Sequence, residues 1–117
     1  MINRNIYIII ISLFFLISCN NKTINTGKGL YIKHACHACH SLDGTLKFGP
    51  TMKNQYGKEI LHTNGTVMII DDEYMRESII FPLKHIVDGY TPIMPSYKPV
   101  LSDEDIANLA AYFASLK

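Results

Sequence analysis

The sequence has no tryptophan, only three cysteines and almost no net charge. Each shortage excludes something. Eleven basic and ten acidic residues leave a formal charge of +1, so the clustered basic excess of a nucleic-acid binder is missing. Three thiols are an odd number, so paired disulfides cannot account for all of them in an exported chain. No alternating strand–helix pattern appears, which removes the βαβ setting of a thioredoxin-like dithiol. The 117 residues suffice for one small domain. Its core is thin, because a folded domain of this size hides only about 60–65% of its unfolded surface. Such a chain gains from a cofactor, a metal or a disulfide as an added core element.

The apolar residues that are present crowd the N-terminus. Arg4 is the only charge before an apolar run from Ile6 to Ile17. That run is short for a bilayer span, and its layout fits a secretory signal. A tilted, uncleaved anchor over residues 2–19 is the competing reading. The run ends Leu16-Ile17-Ser18-Cys19, which is similar to a bacterial lipobox. The expectation is a signal peptide over 1–18 and a lipid on Cys19, with residues 19–26 as the lipidated cysteine and a polar tether. Beyond it, residues 20–60 carry six lysines against Asp43 and Glu59, while residues 61–117 carry four basic against eight acidic residues. Two solvated faces explain this polarity more simply than a dipole that steers docking.

The other two cysteines lie in Cys36-His37-Ala38-Cys39-His40. This C-x-x-C-H pattern is the attachment signature of a c-type haem. Two thiols at this spacing reach the two vinyl groups on one porphyrin edge and form thioethers. The adjoining His40 then sits under the iron as its proximal ligand. A zinc site could draw on His34, Cys36, Cys39 and His40, but structural zinc sites bring a second ligand pair from a distance. His62 and His85 stand alone without such spacing. One covalent haem c through Cys36 and Cys39 is therefore expected.

The sixth iron position needs another ligand, and methionine is the expected partner of histidine in electron-transferring haem proteins. Met75 falls in a helical stretch and Met68 in the apolar run 67–70, where core packing explains both. Met52 follows Gly49-Pro50 too closely to reach the opposite haem face. Met94 lies between Pro92 and Pro95, in a loop that these prolines stiffen. It is also 54 residues beyond His40, enough chain to round the haem edge. His40 and Met94 are thus the expected metal ligands.

The remaining pattern is helical. Residues 27 to about 34 read as a short helix, and 42–56 as mostly loop. Asp71 reads as the cap of a helix to about Ile80, stopped by Pro82. Ser102 with Asp105 reads as a capping-box-like start, after which Ile106, Leu109, Ala110 and Phe113 repeat on one helical face. The predicted class is all-α, short helices and loops around one haem, with no strand-rich region.

In this order, Gly27, Leu30, Tyr31, Cys36-His37-Ala38-Cys39-His40, Asp43-Gly44, Gly49-Pro50, Gly89-Tyr90 to Met94-Pro95 and Tyr112 resemble the class I mono-haem cytochromes c over about residues 27–117. Tyr56-Gly57, the stretch from Asp72 to Ile79 and Ile86 to Tyr90 are similar to the cytochrome c domain fused to subunit II of some haem-copper oxidases. The copper-binding portion is missing here. The resemblance implies that the Pro50 carbonyl accepts a hydrogen bond from the His40 ring, fixing its orientation. It implies that Gly27 lets the first helix approach the last, with Tyr31 and Tyr112 packing nearby. Tyr90 and Tyr97 either reach a haem propionate or pack in the pocket wall.

With both axial positions filled by protein, iron has no open site for substrate. The expected function is a lipid-anchored, exported, monomeric carrier of single electrons between respiratory redox partners. It is expected not to be an enzyme and not to bind nucleic acid. A haem enzyme or a haem-based sensor with a labile sixth ligand is the alternative. Peroxidases usually carry a second C-x-x-C-H, and this chain has one. The anchor is directly testable: Cys19→Ser should move the protein from the membrane fraction to the soluble fraction, or leave it uncut, with haem retained. Intact-mass measurement of the wild type should show acyl mass on a chain beginning at Cys19. A chain with no acyl group that begins at Met1 would establish the uncleaved anchor instead.

Overall fold

The computed structural model describes residues 4–116, and side chains throughout except at 4–7 and 11–19. Residues 1–3 of the expected signal peptide, the Cys19 side chain that would carry lipid, and Lys117 lie outside that description. The elements run in the order α1 (Arg4–Lys33), a 3-10 turn (Cys36–Ala38), β1 (Glu59–Leu61), β2 (Val67–Ile69), α2 (Asp72–Ile80) and α3 (Asp103–Ala114). Among the described residues no helix is long and apolar enough to cross a membrane.

Two helix starts follow the expected chemistry. The Asp71 side chain accepts the backbone N–H of Tyr74 at 2.8 Å and caps α2. Ser102 and Asp105 close a reciprocal capping box on α3, and Asp105 is held below the usual carboxylate range by its bonds to the Ser102 backbone and hydroxyl. The apolar repeat of α3 is buried throughout, with Ile106, Leu109, Ala110 and Phe113 each at most 6% exposed.

Two features differ from the sequence reading. The first helix does not begin near Gly27; it runs unbroken from Arg4, so residues 20–26 are helical. Polar composition there carries no proline, and a helix already nucleated on either side extends through polar residues at little cost. Second, a small antiparallel hairpin stands in the otherwise helical fold. Glu59 pairs with Ile69, Ile60 with Met68 and Leu61 with Val67. Its turn contains Asn64-Gly65, with Gly65 at φ +83°. That dipeptide suits a tight reversal because glycine enters the left-handed region without steric cost. The hairpin is tied to the later loop: Thr63 N–H donates to Ile86 C=O and Asp88 N–H to Leu61 C=O, both at 2.9 Å.

The main crossing is α1 on α3. Gly27 is buried against α3, and a Cβ there would fall 2.1 Å from the Asn108 carbonyl oxygen and 2.7 Å from Tyr112 Cβ. The absent side chain lets the two backbones meet. Tyr31 packs one turn further along, with ring centroids 5.9 Å from Tyr112 and 6.0 Å from Phe113. Gly29 is on the other side, where an added Cβ would meet nothing within 4 Å. The two glycines therefore predict opposite results. Gly27→Ala forces the helices apart, at a cost of about 1–3 kcal/mol for overpacking that exceeds the helix-propensity gain of roughly 1 kcal/mol at most. Gly29→Ala keeps only the gain. Thermal melting of the two variants should show a lower midpoint for Gly27→Ala and an equal or higher one for Gly29→Ala. Equal behaviour would show that the crossing is not tight.

Candidate functional site

The end of α1 positions the site. His34 N–H donates to Leu30 C=O, Ala35 turns the chain at φ +55°, and the 3-10 turn of Cys36–Ala38 follows. Cys39 and His40 N–H both donate to Cys36 C=O, at 3.2 and 2.9 Å. This tight turn presents Cys36, Cys39 and His40 together on the wall of a single large cavity. Tyr31 reaches across from α1 and its hydroxyl donates to the His40 carbonyl at 2.5 Å. The turn is thus locked to the α1–α3 crossing.

The segment after it closes one side of the cavity. Gly49 N–H donates to Cys39 C=O at 2.9 Å, and Met52 N–H to Ser41 C=O at 2.8 Å. His40 Nδ1 donates to the Pro50 carbonyl at 2.8 Å, the contact that the family resemblance implied. A carbonyl only accepts, so Nδ1 carries the proton and neutral His40 keeps a lone pair on Nε2. Burial pushes His40 below the ordinary histidine range, against the opposing pull of the Pro50 bond, and so favours that neutral form. Gly49 is required beside it: a Cβ would fall 2.4 Å from Cε1 of the ring.

Another part of the lining comes from α2 and the proline-rich loop. Met75, Ser78 and Ile79 line it with Tyr90, Ile93 and Met94. The loop is fastened to the end of α2, because Ser96 Oγ donates to Ile80 C=O at 2.7 Å and Tyr97 N–H to Ile79 C=O at 3.1 Å. Met94 is half-buried and faces the cavity. Met75 is 6% exposed in the core and also borders the cavity, as does Met52, whereas Met68 packs only against the core. Tyr97 lines the wall while its hydroxyl donates to the His34 carbonyl at 3.3 Å; Tyr90 lines it as well.

Cys36 and Cys39 are both free thiols. Burial pushes the Cys36 thiol up, away from the lowered value that a redox dithiol needs. No group of three or more metal-ligating side chains occurs among the described residues, which leaves the zinc alternative without its second ligand pair.

The cavity fits a flat apolar group attached along one edge. Its lining is overwhelmingly hydrophobic, two thiols stand on one rim, and the space that a Cβ of Gly49 would occupy is left to an imidazole whose free nitrogen remains unprotonated. Fold and site together define a c-type haem protein. The family model described as Cytochrome c matches residues 24–117, and the chain belongs to the cytochrome c family. It carries covalent haem c through the pair Cys36 and Cys39, and its general role is electron carriage. Comparison with curated proteins returned no match.

One cluster was not legible in the sequence. His62, 2% exposed, bonds Thr66 C=O through Nδ1 at 3.2 Å and Tyr74 Oη through Nε2 at 3.0 Å. His85 stacks on Tyr74, with centroids 6.1 Å apart, and its Nε2 lies 2.9 Å from Glu77 Oε2. Lys84 Nζ reaches the other Glu77 oxygen at 2.5 Å. The two histidines read as lone residues because their partners are 12 and 8 residues away in sequence. The bonds from Lys84 and His85 hold the Glu77 carboxyl below the usual range. A lowered folded value stabilises above the unfolded carboxylate value and is lost as pH falls through the folded one. The melting-temperature advantage of wild type over Glu77→Gln should therefore be complete near neutrality. It should begin to shrink below about pH 4.5 and disappear below the lowered value. An advantage that stayed constant into strong acid would show that these bonds do not act through the carboxylate charge.

Proposed function

We propose that the protein is a lipid-anchored, exported mono-haem cytochrome c that passes single electrons between respiratory redox partners and catalyses no reaction of its own. His40 Nε2 and Met94 Sδ are the axial ligands in this reading, with lipid on Cys19 as the anchor. The similarity of residues 56–90 to the cytochrome c domain of some oxidase subunits II supports a partner in a respiratory chain. The observation that carries the reading is that one cavity is lined both by an imidazole oriented by the Pro50 carbonyl, with a free nitrogen, and by the thioether of the proline-flanked Met94.

When bound, the haem supplies a one-electron Fe(III)/Fe(II) couple. The chain's own residues account for the rest. The Pro50 carbonyl fixes the tautomer and plane of His40, so the nitrogen needs no reorientation between states. The hydrogen bonds from Ser96 and Tyr97 fasten the Met94 loop, so the thioether is held at low entropic cost. The apolar lining excludes water. Little moves between the two states, which suits electron transfer and leaves no open position for a substrate.

Met94→Ala tests this most simply. It should abolish the weak charge-transfer band at the red end of the ferric spectrum, lower the midpoint potential and let cyanide bind readily. Met52→Ala and Met75→Ala border the same cavity and are the informative controls. They should lower stability, by about 2–5 kcal/mol where the side chain is fully buried, and spare the band. Loss of the band in either control, with Met94→Ala retaining it, would reassign the ligand. Rapid cyanide binding by the wild type would favour an enzyme or a sensor.

A further inference from the structure

One ionisable side chain on the cavity lining has no task in the proposed function. Cys36 and Cys39 carry the haem, and His40 is assigned to the iron. Tyr74, Tyr90 and Tyr97 also line the cavity, and a phenol ordinarily keeps its proton throughout the physiological range. Histidine is the side chain whose charge changes between about pH 5 and 8. Among the described lining residues His85 is the one histidine besides His40. Its side chain is 14% exposed, so it faces the cavity and still exchanges protons with water.

The neighbours of His85 are arranged to hold a positive charge on it. From α2, Glu77 places Oε2 at 2.9 Å from its Nε2, and Lys84 bonds the other carboxylate oxygen. The bonds from Lys84 and His85 keep the Glu77 carboxyl below its usual range, so it is ionised near neutrality. A carboxylate only accepts, so Nε2 carries a proton whether the ring is neutral or charged. Nδ1 makes no hydrogen bond among the described residues and is the nitrogen left to gain one. Tyr74 stacks on the ring at an interplanar angle of 30°, and His62 at the end of the hairpin lies 5.5 Å away between centroids. Both nitrogens of His62 are already bonded, to the Thr66 carbonyl and the Tyr74 hydroxyl. On the loop that follows, Ile86 and Val87 add only apolar surface to the lining.

We propose that His85 is a redox-linked proton site, which takes one proton from solvent when the haem accepts an electron and returns it when the electron leaves. The step balances. A reduced protein partner gives one electron to Fe(III), and a solvent hydronium gives one proton to Nδ1; one O–H bond breaks and one N–H bond forms. The cause is charge. Reduction removes one positive charge from the cavity, and a cation on the lining is then repelled less. The apolar lining screens that change less than water would. Electron and proton therefore favour each other, and the coupling is reciprocal. The proposal rests on the haem and the electron carriage of the family, and it holds whichever residue is the sixth ligand.

The experiment is a spectroelectrochemical titration of the purified holoprotein from about pH 5 to 9 as wild type, His85→Gln and Glu77→Gln. Ring NMR of His85 in the wild type, held oxidised and then reduced, accompanies it. Reduction should raise the proton affinity of His85 about tenfold, which lowers the wild-type potential by about 59 mV in one step as pH rises. His85→Gln, whose amide still donates to Glu77, should lose the step. Glu77→Gln removes the carboxylate that favours the charged ring, so its step should move to lower pH. The His85 ring should titrate about one pH unit higher in the reduced protein. A flat wild-type potential, or a ring titration that ignores the oxidation state, overturns the site. So does a step that survives in His85→Gln, which would then belong to the haem carboxylates or to His62. A holoprotein with no reversible one-electron couple would overturn electron carriage itself, and this coupling with it.

Discussion

The close crossing of α1 and α3 at Gly27 is the constraint from which the haem site is built. Backbone meets backbone there because no Cβ intervenes. Tyr31, one turn on, is thereby wedged against Tyr112 and Phe113, with its hydroxyl left pointing at the His40 carbonyl. The thiol-bearing turn follows α1 after only two residues, so the same crossing fixes where Cys36, Cys39 and His40 stand. Separating the helices would move the whole attachment edge.

The two cavity walls are held by different means, which suits their tasks. The wall that carries His40 is a short loop knitted to the attachment turn by backbone bonds from Gly49 and Met52 and by the ring bond to Pro50. The wall that carries Met94 is a loop fastened at a distance, to the end of α2 through Ser96 and Tyr97 and to the hairpin through Ile86 and Asp88. The hairpin is braced in turn by His62, whose backbone bridges to Val87 and whose ring holds Tyr74 of α2. A thin core without tryptophan thus gains rigidity from hydrogen bonds between its loops, and the cofactor supplies the apolar bulk that the chain lacks.

Where residues that act together were adjacent, the sequence was readable. C-x-x-C-H, the cap at Asp71, the capping box at Ser102 and the apolar face of α3 are all local, and each stands where its chemistry put it. What escaped was either weak or distant. The three-residue strands are too short to show alternation, although Asn64-Gly65 marks their turn. The continuation of α1 through a polar stretch depends on helix on both sides, which periodicity in that stretch cannot reveal. The His62, Tyr74, His85 and Glu77 cluster joins a hairpin, a helix and a loop.

In the proposed function, the iron is held between one imidazole from the attachment turn and one thioether from the proline-braced loop. X-ray absorption at the iron edge of the ferric holoprotein reports the ligand atoms directly, without a substitution that could disturb the fold. The account predicts a six-coordinate iron with five nitrogens and a single sulfur, unchanged in number on reduction. A shell of six nitrogens, or a five-coordinate iron with no sulfur in either oxidation state, would contradict it.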